Sequence, residues 1–159
     1  MSGSNQNIKV IGNQLVFAGK TYRCAVGKNG FAADKKEGDG CTPIGVFPLR
    51  ELWYRADKMP VPKTNLPLKI ITQNDGWCDD VSSLDYNQHI LLPYGFFHEK
   101  LWRDDDVYDL IIPLGYNDSP IVKGKGSAIF LHIAKPDYAG TEGCVALFKL
   151  DLLGILPLL

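Results

Sequence analysis

Glycine and proline punctuate this chain so closely that it has no room for a long helix: 16 Gly and 10 Pro fall within 159 residues. Glycine weakens helix interiors by its backbone freedom, and proline removes a donor and clashes with the preceding turn. The apolar runs left between them are short. Ile8–Ile11, Gln14–Phe17 and Lys20–Val26 read as three strands, the first two joined by a Gly12-Asn13 turn. A loop dense in glycine and charge follows from Gly27 to Thr42, and Gly45–Arg50 is expected to resume as a strand. Met59–Leu68, with Pro60, Pro62 and Pro67, reads as an extended connection.

Ile70–Thr72, Ile90–Leu92, Tyr108–Leu114 and Ser127–Ala134 complete the expected strands. The last two are rich in β-branched and aromatic residues and bounded by Gly or Pro, which favours strand over helix. One helix is expected, Lys149–Leu156, stopped by Pro157. The chain therefore reads as a single domain over residues 1–159, mainly β, with a short C-terminal helix. A domain of this length hides roughly 68–70% of the surface its unfolded form exposes, so it needs no disulfide or metal staple.

Charge excludes several functions. With 17 basic and 18 acidic side chains the net charge is −1, and neither a basic arm for nucleic acid nor a polybasic helix for a membrane surface is present. No apolar stretch approaches the ~18 residues of a membrane span. The start, Met1–Asn7, is polar and lacks the apolar segment of a signal peptide. The cysteines at 24, 41, 78 and 144 form no CxxC pair, so no zinc site is expected. Cys24, Cys41 and Cys78 are expected to be inert, and no metal or cofactor is called for.

The chemistry concentrates in the final third. A strand delivers His132 on the face opposite Ile129, Leu131 and Ile133. A Pro- and Gly-containing loop then returns the chain to Gly143-Cys144, so a thiol and an imidazole can meet. A free thiol is mostly protonated at neutral pH, and a neighbouring imidazole can take its proton during attack. Glycine before the nucleophile permits a tight turn, and the Gly143 and Cys144 amides can then face a tetrahedral oxyanion. A backbone carbonyl near His132, or Glu142, would orient the base.

The run His132-x(7)-Gly-Thr-Glu-Gly-Cys144-Val-Ala-Leu147 resembles the signature of the L,D-transpeptidase catalytic domain family (YkuD-like). Lys36-Glu-Gly-Asp39-Gly-Cys-Thr42-Pro43-Ile-Gly45-Val-Phe47 is similar to the family's early loop-to-strand segment. Asp75-Gly-Trp77-Cys-Asp79-Asp80 with Tyr86-Asn87, and Leu114-Gly-Tyr116-Asn117, fit one branch of it. The chain departs from the common pattern in carrying Glu142 where many members have His, and apolar Val145-Ala-Leu147 after the nucleophile.

The resemblance implies a β-sandwich-like fold and covalent acyl transfer on peptidoglycan stem peptides. In it Cys144, His132 and Gly143 are the catalytic residues, and Glu142, Thr141, Tyr116, Arg103 and His98 are candidates for substrate contact. It implies a cell-envelope (periplasmic) location, a role in wall biogenesis and cell shape, and sensitivity to carbapenems. A monomer without nucleic-acid or membrane partners is expected. Resolution of the acyl-enzyme by water, as in an L,D-carboxypeptidase or other peptidoglycan hydrolase, is the alternative. A non-catalytic wall-binding domain is a more distant one. His89 is expected to be structural, and Trp53, Trp77 and Trp102 either pack or floor a groove.

Overall fold

The computed structural model describes residues 7–159. The three N-terminal strands form as expected: β1 (Lys9–Ile11), β2 (Gln14–Phe17) and β3 (Lys20–Ala25). Two short strands follow, β4 (Phe31–Ala32) and β5 (Thr42–Pro43). The expected strand over Gly45–Arg50 does not form. Pro48 has no N–H to give a ladder, and the segment makes a single bridge, Leu49 to Leu114. The ladder resumes at β6 (Leu52–Tyr54) and β7 (Leu68–Ile70).

Next come β8 (Asp75–Cys78), β9 (His89–Leu91) and β10 (His98–Lys100). The chain ends with β11 (Leu110–Pro113), β12 (Phe130–Ile133), β13 (Val145–Leu147) and helix α1 (Lys149–Ile155). The architecture is mainly β with one short C-terminal helix, as the Gly/Pro punctuation requires. Eight strands make one sheet in the order β1-β2-β3-β13-β12-β11-β6-β7, and β10-β8-β9 make a second.

Alternation along the central strands divides the core in two. Leu110, Ile112, Leu131, Ile133, Val145 and Leu147 all join one buried cluster, which Leu152 and Ile155 of α1 cover. Each such side chain contributes about 1.5–3 kcal/mol by leaving water. Ile111, Phe130 and Cys144 point the other way, into a second cluster with Trp53, Tyr108 and Leu101. The small sheet covers that face, with Trp77 of β8 edge-on to Phe130 at 5.1 Å between ring centres.

One feature of the topology positions the site. β12 and β13 are adjacent and parallel, with His132 opposite Ala146. Residues two apart on a strand share a face, so Cys144, just before β13, lies on the same face as Ala146 and His132. That face is the one the small sheet covers.

Candidate active site

Cys144 and His132 line one cleft of about 390 Å³ between the two sheets, and both are buried. His132 Nδ1 lies 2.8 Å from the Ile133 carbonyl oxygen. A carbonyl accepts only, so Nδ1 carries the hydrogen and Nε2 keeps its lone pair. Burial lowers the His132 pKa to about 4, against the pull of that carbonyl. The ring therefore stays neutral and able to accept a proton across the physiological range. Tyr108 packs edge-on against it at 5.3 Å and is held in turn by its own hydroxyl bond to Glu99 at 2.9 Å.

The thiol is equally neutral. Cys144 Sγ donates to the Ala128 carbonyl at 3.2 Å and accepts the Phe130 amide at 3.3 Å. Burial, then the charge of Glu99, push its pKa up to about 12, while the Phe130 amide and Lys35 pull it down. The resting pair is thus thiol and imidazole, not thiolate and imidazolium.

Hydrogen bonds clamp the nucleophile turn. Thr141 Oγ1 donates to the Cys144 carbonyl at 2.7 Å and accepts the Gly143 amide at 3.0 Å. The Thr141 amide donates to the Val26 carbonyl, and the Lys28 amide to the Thr141 carbonyl, pinning the turn to the end of β3. Gly143 is required twice over. Its φ is +140°, and a Cβ there would stand 2.7 Å from the Cys41 carbonyl oxygen. Gly143→Ala should cost about 1–3 kcal/mol of stability and slow Cys144 alkylation, read by thermal melting and by iodoacetamide labelling. A variant as stable and reactive as wild type would show the turn to be tolerant.

Of the other expected site residues, some reach the cleft and some do not. Arg103 lines it, forked onto Asp105 at 2.6 and 2.8 Å and 5.1 Å above the Tyr108 ring centre. Thr141 and Glu142 line it too, and Glu142 pairs with Lys28 at 2.7 Å in the open. Tyr116 and His98 are not among its lining residues. The Tyr116 hydroxyl donates to the Lys125 carbonyl, and His98 Nδ1 bonds the Phe96 carbonyl oxygen at 2.8 Å. His89 pairs with Asp75 at 2.7 Å, in keeping with a structural role. Trp53, Trp77 and Trp102 pack instead of flooring the cleft; Trp102 lies under the Arg55 guanidinium at 3.4 Å.

Lys35, Glu37, Asp79, Glu99 and Tyr108 line the cleft as well. In sequence Glu99 and Tyr108 belong to a polar cluster with His98, Arg103, Asp104 and Asp109 that resembles a substrate-side segment of the family or else reads as a solvated, salt-bridged loop. Lys35, Glu37 and Asp79 carry no such mark as single residues. Three of the five sit in or beside the Lys36–Phe47 and Asp75–Asp80 segments, so the motifs themselves carried the signal. A larger groove of about 830 Å³ opens on the other face, bordered by β1 and the 42–49 loop. Cysteine, histidine and carboxylates are missing from its lining, which leaves the smaller cleft as the chemical one. Among the described residues no group of three or more His, Cys, Asp or Glu could hold a metal ion.

The family model of the YkuD L,D-transpeptidase catalytic domain matches residues 3–158, nearly the whole chain. The chain belongs to this family. No curated protein and no solved structure matches it. As an L,D-transpeptidase-family domain it comes from a cysteine-dependent enzyme family linked to peptidoglycan. Among the described residues, no helix of this domain is long and apolar enough to cross a membrane.

Proposed function

We propose that residues 1–159 form a single catalytic domain that cross-links peptidoglycan stem peptides in the cell envelope, with Cys144 as nucleophile and His132 as base. The observation that carries this reading is the parallel β12–β13 pair, which sets a neutral thiol and an imidazole with a bare Nε2 on one face of one cleft. In the first half-reaction Sγ attacks the carbonyl at the L-centre of diaminopimelate in a donor tetrapeptide. The thiol proton passes to His132 Nε2 and the carbonyl π pair moves to oxygen.

The tetrahedral intermediate collapses, and the C–N bond to D-Ala breaks. His132 returns its proton to the departing amine, leaving a thioester on Cys144. An amine of a neighbouring stem then attacks, loses its proton to His132 and displaces the thiol. The Cys144 amide meets the oxyanion first, because the Gly143 amide is already committed to Thr141. Arg103, on the cleft wall with its Nε–Nη2 fork on Asp105, offers its remaining Nη1 edge and its charge to a stem-peptide carboxylate. Membership of the family supports the substrate class, and the cleft supports the chemistry.

Mass spectrometry of purified tetrapeptide muropeptides incubated with the protein tests the reading. Dimers that have lost one D-Ala are the expected product, and fragmentation gives their linkage. Trimmed monomers alone would replace transpeptidation with hydrolysis by the same nucleophile. Unchanged muropeptides would overturn the substrate assignment.

A further inference from the structure

Lys35 is buried, 3% exposed, and yet lines the cleft. Its Nζ donates to Asp39 Oδ1 at 2.7 Å and points at the Lys36 carbonyl oxygen at 3.4 Å. Two glycines make room for it. A Cβ on Gly126 would stand 2.8 Å from Lys35 Cε, and a Cβ on Gly143 would stand 3.4 Å from Lys35 Nζ. The ammonium therefore rests against the nucleophile turn itself.

Its counter-ion is fixed by backbone amides as well. Asp39 also accepts the Lys36 amide at 2.8 Å and the Cys41 amide at 2.9 Å. Those bonds and Lys35 outweigh desolvation and hold its pKa down to about 2. Among the nearby charges, Glu99 raises the Cys144 pKa and Lys35 lowers it. Burying an ammonium is expensive, and one carboxylate repays that cost only in part. A buried cation placed against the turn where negative charge must develop gains its return there.

The chemistry leaves a place for it. A thiol near 12 and an imidazole near 4 on the walls of one cleft make proton transfer strongly uphill in the resting state. The Gly143 amide, an obvious oxyanion donor, is taken by Thr141. We propose that the Lys35 ammonium supplies the missing positive charge, facing the thiolate and the tetrahedral oxyanion that form over the Gly143–Cys144 turn. Lys35 exchanges no proton in this step. The electron pair of the S–H bond becomes the S–C bond, the proton goes to His132, and the carbonyl π pair becomes the oxyanion that Lys35 faces. The proposal rests on Cys144 as the nucleophile.

The other ionisable groups on the cleft walls are Glu37, Asp79, Glu99, Arg103, Tyr108, His132, Lys135 and Glu142, and the test leaves all of them unchanged. Iodoacetamide labelling of Cys144 is followed from pH 6 to 10, with the site mapped by peptide mass because Cys41 is partly exposed. It needs no stem peptide. Lys35→Met should slow labelling at pH 7 about threefold or more, equivalent to half a pKa unit, and move the profile to higher pH. Lys35→Arg should retain most of the wild-type rate.

Asp39→Asn keeps the cation and removes its counter-charge, so it should speed labelling. A purely structural Lys35–Asp39 pair instead makes both neutralising variants change reactivity in the same direction, and that result overturns the proposal. If Lys35→Met does not fold, Asp39→Asn decides alone: labelling slower than or equal to wild type sinks the idea. Wild-type Cys144 that resists at every pH overturns both this proposal and the nucleophile assignment. A reactive Cys144 indifferent to both substitutions overturns this one only.

Discussion

Removing either member of the thiol–imidazole pair should silence acyl transfer, but to different depths. Cys144→Ala should leave neither an acyl-enzyme nor any dimer, because among the described residues Cys144 is the one cysteine lining the cleft, and the cleft hydroxyls of Tyr108, Ser127 and Thr141 are bonded to Glu99, Glu37 and the Cys144 carbonyl. His132→Asn should lower kcat/KM by about 10²–10⁴-fold, the range a positioned base contributes. It leaves a thiol that hydroxide can still ionise. With that thiol near 12, the residual activity should climb about tenfold per pH unit in the alkaline range. A His132→Asn protein that keeps more than about a tenth of wild-type activity would remove His132 from the base role.

The same residue should leave a mark on stability. Burial depresses the folded-state pKa of His132 from 6.5 to about 4, so between those values the unfolded chain binds the proton and the folded one does not. Stability from this group is present above pH 6.5 and is lost as pH falls through 4. Wild type should therefore lose about 2 kcal/mol from this group between pH 7 and pH 5, a loss His132→Asn should not share. Urea melts of both proteins at the two pH values check it. Parallel losses would mean that His132 titrates normally in the folded protein.

Much of this site could be read along the chain, and what could not was set by long-range pairing. The alternation Leu-His-Ile133 placed His132 opposite Leu131 and Ile133, which do join the helix-side core, whereas Ile129, expected with them, precedes β12 and reaches toward Gly143 instead. Gly143 before Cys144 marked a turn, and the structure gives it positive φ and a backbone neighbour. That β12 and β13 run parallel was not legible, since periodicity assigns faces without assigning partners. The small sheet was mostly hidden for a different reason. β8 reads Asp75-Gly-Trp-Cys78 and β10 reads His98-Glu-Lys100, neither with an apolar stripe, because each strand sends polar groups inward.

Lys35, Glu37, Asp79 and Glu99 show the same limit at the level of single residues. In sequence Lys35, Glu37 and Asp79 are ordinary charges, and Glu99 sits in a polar cluster that reads as a solvated loop as readily as a substrate-side segment. Only the packing of the early loop and the small sheet against β12 turns them into the walls of a cleft. The expected strand over Gly45–Arg50 failed on local chemistry: its apolar residues suit a strand, but Pro48 cannot donate. β6, three residues long, was too short to show a period.

Asn87→Ala should be among the most destabilising single changes in the cleft's support, and it should reach Cys144 without touching it. Asn87 is buried with φ +57°, and all of its side-chain bonds serve other segments. Its Oδ1 accepts the Ala128 amide and the Trp77 indole, each at 3.0 Å. Its Nδ2 donates to the Tyr116 and Asn117 carbonyls at 3.2 and 2.8 Å. One side chain thereby joins the small sheet, the 116–117 turn and the approach to β12. Ala128, which it holds at φ +53°, provides the carbonyl that accepts the Cys144 thiol. Truncation orphans two donors and two acceptors, each costing about 1–3 kcal/mol where water cannot replace the partner, so a loss of about 3–6 kcal/mol is expected. Asn87→Asp separates the two halves of the role. It keeps acceptors for Ala128 and Trp77 but sets a carboxylate oxygen against two carbonyls, so it should be clearly destabilised too while holding Ala128 better. Cys144 labelling should then remain closer to wild type in Asn87→Asp than in Asn87→Ala, with urea melts giving the stability order. Equal labelling in both, or Asn87→Ala melting within about 1 kcal/mol of wild type, would detach Asn87 from the nucleophile and leave it an ordinary loop residue.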